Sequence, residues 1–456
     1  MSGPVRWHAR WVLPIAGPPI ADGTVVTAGD RILWVGPRAE APHGAPGGDA
    51  RDEDLGDAIL TPGLVNAHTH LDLTLMRGGL EDLDFFAWIR TLTRAKRQLL
   101  TAADFRDSAL LGVAEGLAAG ITTFGDTADN DAPFEALRAL GARGIAFREV
   151  FGPDPAECDR SMADLAAAVE ARRAHATPLV RVGVSPHAPY SVSDALFAAV
   201  AAYAAREGLP VAVHAAESAA EDDLVQRGTG PFADFLRARG IAVEARAAGP
   251  IALLEAAGLL RAGTLLIHCV RASGADVQRV VAAGCGVAHC PASNAKLGHG
   301  TAPLAAFLAA GARVGLGSDS MASNDAMDLL AEARLAVFAQ RAAAGRADLL
   351  PAAEALALAT RGGARALGLE AEVGTLEPGK QADLVAWRAT ATGGPVGHPA
   401  AALVFAGAGM RAHRVLVAGV ERARDGVVAG LDPAVPGRVR DAARRMAEWR
   451  GQRTAG

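Results

Sequence analysis

Apolar runs alternate with Ala- and Leu-rich stretches between residues 59 and 365 of the chain. The apolar runs are short, as in buried strands, and the stretches between them have the length and spacing of helices, for example Phe105–Ala119, Asp194–Arg206 and Ala275–Ala283. The predicted strands are Ile59–Asn66, Ile121–Phe124, Gly144–Val150, Val180–Ser185, Val211–His214, Thr264–His268, Gly286–His289 and Arg313–Gly317. Eight strand-and-helix units predict an α/β fold whose parallel sheet closes into a (β/α)₈ TIM barrel, because an open doubly wound sheet usually has fewer units.

The two ends of the chain have a different pattern, with short strands separated by turn residues. Strands are predicted at Val5–Leu13, Gly23–Ala28, Arg31–Val35, Leu384–Trp387 and Val415–Val417, with a turn at Asp425-Gly426. Residues 37–57 are predicted as a polar connection and residues 433–453 as a basic surface helix. We therefore expect residues 1–60 and 366–456 to form one small composite β-sandwich domain, with the barrel spanning residues 61–365.

Composition and charge exclude several kinds of partner. The chain has 456 residues with 45 basic and 50 acidic side chains, a formal net charge of −5, which provides no long-range field for nucleic acid or an acidic membrane. The apolar stretch at residues 11–20 is short and broken by prolines, so it predicts neither a signal peptide nor a membrane span. Four cysteines without paired spacing are typical of reduced thiols, which favours a cytoplasmic protein.

Metal-binding side chains stand where the predicted strands end, which is where a barrel of this kind carries its reactive groups. His68 and His70 are two positions apart, so an extended backbone points both to one side. His214, His268 and Asp319 end three further strands. A lone histidine at a strand end is more often a hydrogen-bonded core residue, but four of the 12 histidines at one barrel mouth indicate a shared site. Imidazole and carboxylate donors suit Zn²⁺ or Fe²⁺ and leave a position for water.

One metal ion is expected rather than two. Binuclear hydrolases on this barrel commonly bridge their metals with a carboxylated lysine at the end of the fourth strand. Here that strand continues as Pro186-His187-Ala188, and the chain's lysines are elsewhere, at Lys96, Lys296 and Lys380. Cys269 and Cys290 adjoin the ring of candidate ligands and are interpreted as packing residues. A packing role and a substrate-shaping role both remain open for His289.

Several stretches resemble the amidohydrolase superfamily in their order along nearly the whole chain. They are Thr61–His70 (TPGLVNAHTH), Ser185–Tyr190 (SPHAPY), His214–Glu217 (HAAE), Pro291–Gly298 (PASNAKLG), Gly317–Asp319 with Ala322–Asn324, and Gly374–Leu384 (GTLEPGKQADL). The most similar branch contains deaminases of methylthioadenosine and S-adenosylhomocysteine, of guanine and of aminodeoxyfutalosine, and triazine hydrolases. The resemblance implies the barrel with its composite β domain, and it suggests a homodimer.

The resemblance also implies a role for each matching residue. His68, His70, His214 and Asp319 correspond to the ligands of one divalent metal ion, zinc or iron. Glu217 corresponds to the proton shuttle, and His268 to the group that positions or polarises the attacking water, a proton step in which Asp319 also takes part. The implied reaction is hydrolytic: activated water attacks an aminated, purine-like ring, Glu217 moves the protons, and ammonia leaves.

The substrate is predicted from weaker signals. His187 resembles a nucleoside-contacting histidine, and a loop-capping role stays open as the alternative. Arg148 and Glu149 end the third strand, where they could face the pocket. Methylthioadenosine deaminases carry a ribose-binding glutamate after the first strand, and an ungapped alignment through Trp88 places Arg97 there, in a cluster with Arg90, Arg94 and Lys96. An arginine would suit a substrate carboxylate. The leading expectation is therefore aminodeoxyfutalosine, a benzoate-bearing nucleoside of menaquinone biosynthesis, followed by methylthioadenosine or S-adenosylhomocysteine.

Other functions stay open on the same barrel. The enzymatic alternatives are a guanine deaminase and a triazine or cyclic-amide hydrolase. A non-catalytic binding protein would be expected to have lost Glu217, Asp319 or a ligand histidine, and none of these is missing.

Overall fold

The computed structural model describes residues 3–42, 44–45, 48–389 and 396–454. Residues 1–2, 43, 46–47, 390–395 and 455–456 lie outside the described part, and all of them fall within the predicted β-domain segments.

The barrel is formed by a ring of parallel strands. The barrel strands are Leu64–His70, Ile121–Ala128, Arg143–Val150, Val180–Pro186, Val211–Ala215, Thr264–His268, Gly286–His289, Arg313–Leu316 and Asp319–Ser320. The last two form one interrupted strand. Its first part pairs with Gly286–His289 and its second part with Leu64–His70, so the ring closes. The predicted barrel is confirmed.

The predicted strand Ile59–Asn66 is wrong in one respect, because it is two strands in two different sheets. Ala58–Pro62 belongs to the β domain, and the barrel begins at Leu64. Gly63 lies between them, and a Cβ atom there would be 2.0 Å from Thr122 Oγ1. Glycine leaves room for the Thr122 side chain at the point where the chain changes sheets.

The β domain is one sheet of nine strands from both chain ends. Its strands are Val5–Val12, Ile20–Ala28, Arg31–Pro37, Arg51–Asp54, Ala58–Pro62, Leu384–Arg388, Arg414–Val417, Val420–Arg424 and Val427–Val428, and a separate hairpin pairs Gly44–Ala45 with Gly48–Asp49. Ala58–Pro62 joins the two ends, since it pairs with Val5–Val12 on one side and Leu384–Arg388 on the other. The strand Arg51–Asp54 corrects the predicted polar connection: it pairs with Val5–Val12 at the sheet edge.

Helices cover the outside of the barrel, and a large apolar core fills the space between them and the strands. The α-helices are Phe85–Gln98, Ala102–Ala118, Ala132–Leu140, Cys158–Arg173, Asp194–Glu207, Ala219–Arg227, Pro231–Arg237, Pro250–Ala256, Gly274–Ala282, Pro291–Lys296, Leu304–Ala309, Met321–Asn324, Leu329–Ala344, Ala352–Ala357, Gly363–Ala366, Pro399–Ala406 and Val435–Thr454. The 3₁₀-helical segments are Arg38–Glu40, Leu71–Met76 and Pro155–Glu157, and Leu358–Gly362 is a π-helical segment. Among the described helices, none is both long and apolar enough to cross a membrane.

The predicted C-terminal surface helix, Val435–Thr454, is less solvated than its arginines suggested. Val435, Val439 and Met446 are buried in a core cluster shared with residues 71–111. Two of the arginines, Arg438 and Arg445, pair with acidic residues of the helix Ala102–Ala118. The helix is therefore packed against the barrel along one side.

A buried ion pair joins the barrel to the β domain. The Arg143 guanidinium donates to both carboxylate oxygens of Asp383 at 3.0 Å, and the exposed fractions of the two side chains are only 3% and 2%. Asp383 also accepts a hydrogen bond from the backbone N–H of Ala418. Arg143 begins the third barrel strand, so this pair fixes the β domain against the bottom of the barrel.

We expect Asp383→Leu to lower the free energy of unfolding by about 3–5 kcal/mol, because it removes the bidentate partner of the buried Arg143 and leaves it only Gln381 Oε1 at 3.1 Å and Glu372 at 3.7 Å. The double variant Arg143→Met/Asp383→Leu should recover much of that loss, since no uncompensated charge remains. Urea titrations of the three variants measure this. The exposed pair Arg346–Asp348 provides the control, and Asp348→Ala should leave the transition unchanged. A double variant as unstable as Asp383→Leu would contradict this account.

Candidate active site

Four side chains from three strands meet at the carboxyl end of the barrel. One ring nitrogen from each of His68, His70 and His214 lies within 4.8 Å of the others. Asp319 Oδ1 is 3.2 Å from His68 Nε2 and 3.7 Å from His70 Nε2. His268 also reaches the cluster, with its Nε2 3.9 Å from Asp319 Oδ2. The structure thus brings together all the predicted metal-binding residues around one point.

Hydrogen bonds behind the cluster orient these side chains. His214 Nδ1 is 3.0 Å from the carbonyl oxygen of His187, so this nitrogen carries the proton and Nε2 is free to bind a cation. His268 Nδ1 likewise lies 3.0 Å from Asn294 Oδ1, which directs its Nε2 to the mouth. Asp319 Oδ2 accepts hydrogen bonds from the hydroxyls of Ser293 and Ser323 at 2.5 and 3.2 Å.

The backbone of the site is held in an unusual conformation. His268 and Asp319 have positive φ angles of 73° and 55°, and so do Ala216 and Cys269, at 52° and 49°. Non-glycine residues seldom adopt this region, and such residues cluster at functional sites. In each case the chain turns sharply at a strand end, which directs the adjacent side chains into the mouth.

The protonation states of the cluster fit a divalent cation. Burial lowers the pKa of His68 to about 4, that of His70 to about 3 and that of His214 to about 4, so all three imidazoles are neutral at pH 7 and offer lone pairs. Burial by itself would raise the pKa of Asp319, but the hydrogen bond from His68 and the neighbouring imidazoles hold it well below its usual value. Three neutral nitrogens and one buried carboxylate form a donor set typical of Zn²⁺ or Fe²⁺.

Glu217 lies at the rim of this cluster and is buried. Its Oε1 is 3.5 Å from His268 Nε2 and 3.3 Å from His299 Nε2. Burial opposes ionisation, but the two imidazoles outweigh it, and the pKa of the Glu217 carboxyl is lowered. The turn that carries Glu217 is fixed by Glu221, whose carboxylate accepts the backbone N–H groups of Ala216 and Glu217. An ionised carboxylate is therefore held beside the cation-binding groups.

His299 is a site residue that the sequence pattern did not predict. His299 is buried beside Glu217, and its ring packs edge-on against Phe85 with 4.5 Å between the ring centroids. The residue follows directly after the matching stretch that ends at Gly298. Its position next to this stretch is the only feature of the sequence that could have indicated His299 as a site residue. The same stretch contains Ser293 and Asn294, whose contacts with Asp319 and His268 were also not foreseen.

His187, Arg148 and Glu149 lie on one side of the mouth. The His187 ring is fixed by a 2.7 Å hydrogen bond between Nδ1 and Ser191 Oγ, and burial holds its pKa well below the usual value. Arg148 is half-buried, with its guanidinium 3.6 Å from Asp131. Glu149 is buried, which raises the pKa of its carboxyl to about 8. Of the three, His187 and Glu149 each have a potential ligand atom within 4.8 Å of a ring nitrogen of His214.

Arg97 does not join these residues. Its side chain is exposed and forms no hydrogen bond or ion pair with any described residue. The neighbouring Lys96 is the basic residue of this helix that faces the mouth. Its Nζ is 2.8 Å from Asp129 Oδ1 and 3.5 Å from Asp72 Oδ2, close enough for its charge to lower the pKa of His70 and His187. The predicted cluster of four basic residues thus places only Lys96 next to the site.

His289 is buried at the end of the seventh barrel strand, and burial lowers its pKa to about 4. Neither ring nitrogen has a hydrogen-bond partner within the described part of the chain. An ordinary core histidine would be expected to have at least one partner. This favours the substrate-shaping alternative for His289 over simple packing.

Comparison with known proteins gives four consistent likenesses. The amidohydrolase family model matches residues 59–422. The chain is 36% identical to a 5-methylthioadenosine/S-adenosylhomocysteine deaminase of Desulforudis audaxviator over 383 residues, 83% of either chain. A zinc-bound adenosine deaminase from Xanthomonas campestris superposes with a TM-score of 0.84 at 28% identity, covering 97% of this chain and 98% of the other. Helicobacter pylori aminofutalosine deaminase is similar in fold alone, with a TM-score of 0.78 at 20% identity over 91% of this chain and 99% of the other.

Proposed function

The chain belongs to the amidohydrolase family and acts as a hydrolytic deaminase, and from this premise we propose that its substrates are 5′-methylthioadenosine and S-adenosylhomocysteine. The observation that carries the proposal is the position of Glu217. Its carboxylate is buried between His268 and His299, next to the cluster of cation-binding groups. A group that must accept and then donate a proton in one cycle needs that kind of placement.

We assign His68, His70, His214 and Asp319 as the ligands of a divalent cation, which the family and the donor set support. Zinc is the proposed ion and iron(II) the alternative, since the same donors serve both. When bound, the cation acts as a Lewis acid that makes a water molecule nucleophilic at neutral pH. The zinc-bound relative in the comparison is consistent with this choice.

The side chains of the site divide the proton transfers between them. Asp319 and His268 hold the attacking water by hydrogen bonds. As the water oxygen bonds to the ring carbon that bears the amino group, Glu217 takes a proton from the water and gives a proton to the adjacent ring nitrogen. Glu217 then takes the remaining proton from the hydroxyl group newly formed on the ring carbon and delivers it to the amino group; the carbon–nitrogen bond breaks, the carbonyl forms, and ammonia leaves. The neutral imidazole of His187 contacts the nucleoside beside this reacting centre.

The substrate assignment differs from the leading expectation of the sequence analysis. Aminodeoxyfutalosine requires a basic residue of the Arg90–Arg97 stretch for its benzoate, but Arg97 is exposed, and Lys96, which faces the mouth, is paired with Asp129 and Asp72. The relatives that match this chain over most of its length are named as methylthioadenosine and S-adenosylhomocysteine deaminases. The second-ranked expectation is therefore the proposal, without a role in menaquinone biosynthesis.

The test is ammonia release by the metal-loaded protein from a panel of aminated rings. We expect 5′-methylthioadenosine and S-adenosylhomocysteine to give the highest kcat/KM, above adenosine, aminodeoxyfutalosine, guanine and an aminated triazine. The shift of the adenine absorbance to that of hypoxanthine should accompany the ammonia. Absence of ammonia from every member of the panel would contradict the deaminase, and a preference for aminodeoxyfutalosine would contradict the substrate assignment alone.

A further inference from the structure

Glu149 is a buried acid that lacks a partner. It is next to last in the strand Arg143–Val150, its exposed fraction is 6%, and no hydrogen bond or ion pair joins its carboxylate to any residue that the structure describes. Oε1 in particular is fully buried and unsatisfied. A buried carboxylate without donors is costly, and natural proteins keep such a group where a ligand supplies the donors.

The surroundings of Glu149 place it in the wall of the active site. One carboxylate oxygen lies within 4.8 Å of a ring nitrogen of His187 and of His214. The His187 ring also packs against the exposed ring of Phe151, with 4.7 Å between the centroids and an exposed fraction of 38% for Phe151. Glu149 is thus close to His214 of the proposed cation site and to His187, the proposed nucleoside contact, so it is within reach of a nucleoside bound there.

The cations near Glu149 are already paired. Lys96 Nζ is 2.8 Å from Asp129 and 3.5 Å from Asp72, and the Arg148 guanidinium is 3.6 Å from Asp131. Neither comes within ion-pair distance of Glu149. The acid therefore has no donor from the described residues of the protein, and its hydrogen-bonding capacity is left for a ligand.

Resting on the proposed function, we infer that Glu149 binds the sugar hydroxyls of the substrate and makes the enzyme select nucleosides with an intact 2′,3′-diol. Burial disfavours the charged form of Glu149, but two hydroxyl donors would favour it, and an ionised carboxylate has two oxygens side by side that can receive both hydroxyls of a vicinal diol at once. The purine ring offers no comparable pair of donors once its amino group faces the reacting centre. Glu149 is a specificity-determining residue in this view, separate from the proton transfers of Glu217.

A second cation is the competing occupant, because Glu149, His187 and His214 together resemble a ligand set. His214 argues against it. Its Nδ1 is committed to the carbonyl oxygen of His187, so only Nε2 is available, and that nitrogen serves the cluster with His68 and His70. The two occupants differ in what they predict for the metal content of a Glu149 variant.

The experiment compares 5′-methylthioadenosine with its 2′-deoxy and 3′-deoxy counterparts, in the wild type and in Glu149→Gln. In the wild type, each deoxy compound should have a kcat/KM about 10- to 100-fold lower, the loss typical of a hydrogen bond to a charged group. Glu149→Gln should lower kcat/KM for the diol substrate by about the same factor, mainly through KM, and lower it less for the deoxy substrates, which have only one hydroxyl left for Glu149 to bind. The ratio between diol and deoxy substrates should therefore approach one.

Glu244→Gln is the matched control, since it makes the same chemical change at an exposed position and should keep the wild-type ratio. A wild type that does not discriminate against the deoxy substrates would overturn the inference, as would a Glu149→Gln variant that keeps the wild-type ratio. A fall in metal content in Glu149→Gln would also overturn it and favour the second cation. Failure of the wild type to deaminate any nucleoside is a different result, which would overturn the proposed function and the inference together.

Discussion

Replacement of Glu217 by glutamine is expected to lower kcat by about 10²- to 10⁴-fold, the range for loss of a general acid–base group. Glutamine has the same shape, so the contacts of 3.5 Å with His268 and 3.3 Å with His299 can be kept. Its amide can neither accept the proton from water nor deliver one to the leaving amine. The metal content and the thermal unfolding temperature should therefore stay near wild type while turnover is lost.

Glu217→Asp separates proton transfer from a structural role. Aspartate keeps the titratable carboxyl but withdraws it by one methylene, whereas glutamine keeps the shape but loses the proton. If proton transfer is the role, the aspartate variant should retain more activity than the glutamine variant, and the order reverses for a purely structural role. Steady-state kcat, with Glu244→Gln as the exposed control, gives the answer. A glutamine variant within about tenfold of wild type would remove Glu217 from the proton transfers.

Much of the fold could be predicted because strands buried on both faces are continuous apolar runs. The bounds of the barrel strands follow those runs, but two features of the β domain do not. The strand Arg51–Asp54 consists entirely of charged residues, and only its edge position beside Val5–Val12 makes it a strand. The break at Gly63 is invisible within an apolar run, because the change of sheet depends on the close approach of Thr122.

The cation-binding groups could be predicted for a geometric reason: the strand ends of a barrel converge on one axis, so residues far apart in sequence share one mouth. Residues on loops and helices have no such constraint. His299 meets Glu217 only through the path of the loop after Lys296, which the sequence does not specify. Arg97 and Lys96 differ by one position, and one position on a helix is a rotation of about 100°, which decides which side chain faces the site.

Replacement of Asp319 by asparagine is expected to lower the metal content from about one to well below one equivalent per chain, with activity reduced by about 10³-fold or more. Asp319 is the only anionic member of the proposed ligand set, and it contacts His68, His70 and His268. Asparagine is the suitable replacement because the residue has a φ of 55°, a region that asparagine tolerates and alanine does not. The loss can then be assigned to the missing charge rather than to backbone strain.

Removal of a hydrogen bond that supports Asp319 should weaken metal binding less than removal of its charge. Ser293→Ala deletes the 2.5 Å hydrogen bond to Asp319 Oδ2 but leaves the carboxylate and the bond from Ser323 in place. Its metal affinity should fall by about 10- to 100-fold, less than the loss in Asp319→Asn. Metal analysis after dialysis against a chelator measures both variants, and added Zn²⁺ or Fe²⁺ should restore the wild type and Ser293→Ala but not Asp319→Asn. If Asp319→Asn holds a full equivalent and turns over normally, the carboxylate is not a ligand, and the three histidines must hold the cation by themselves.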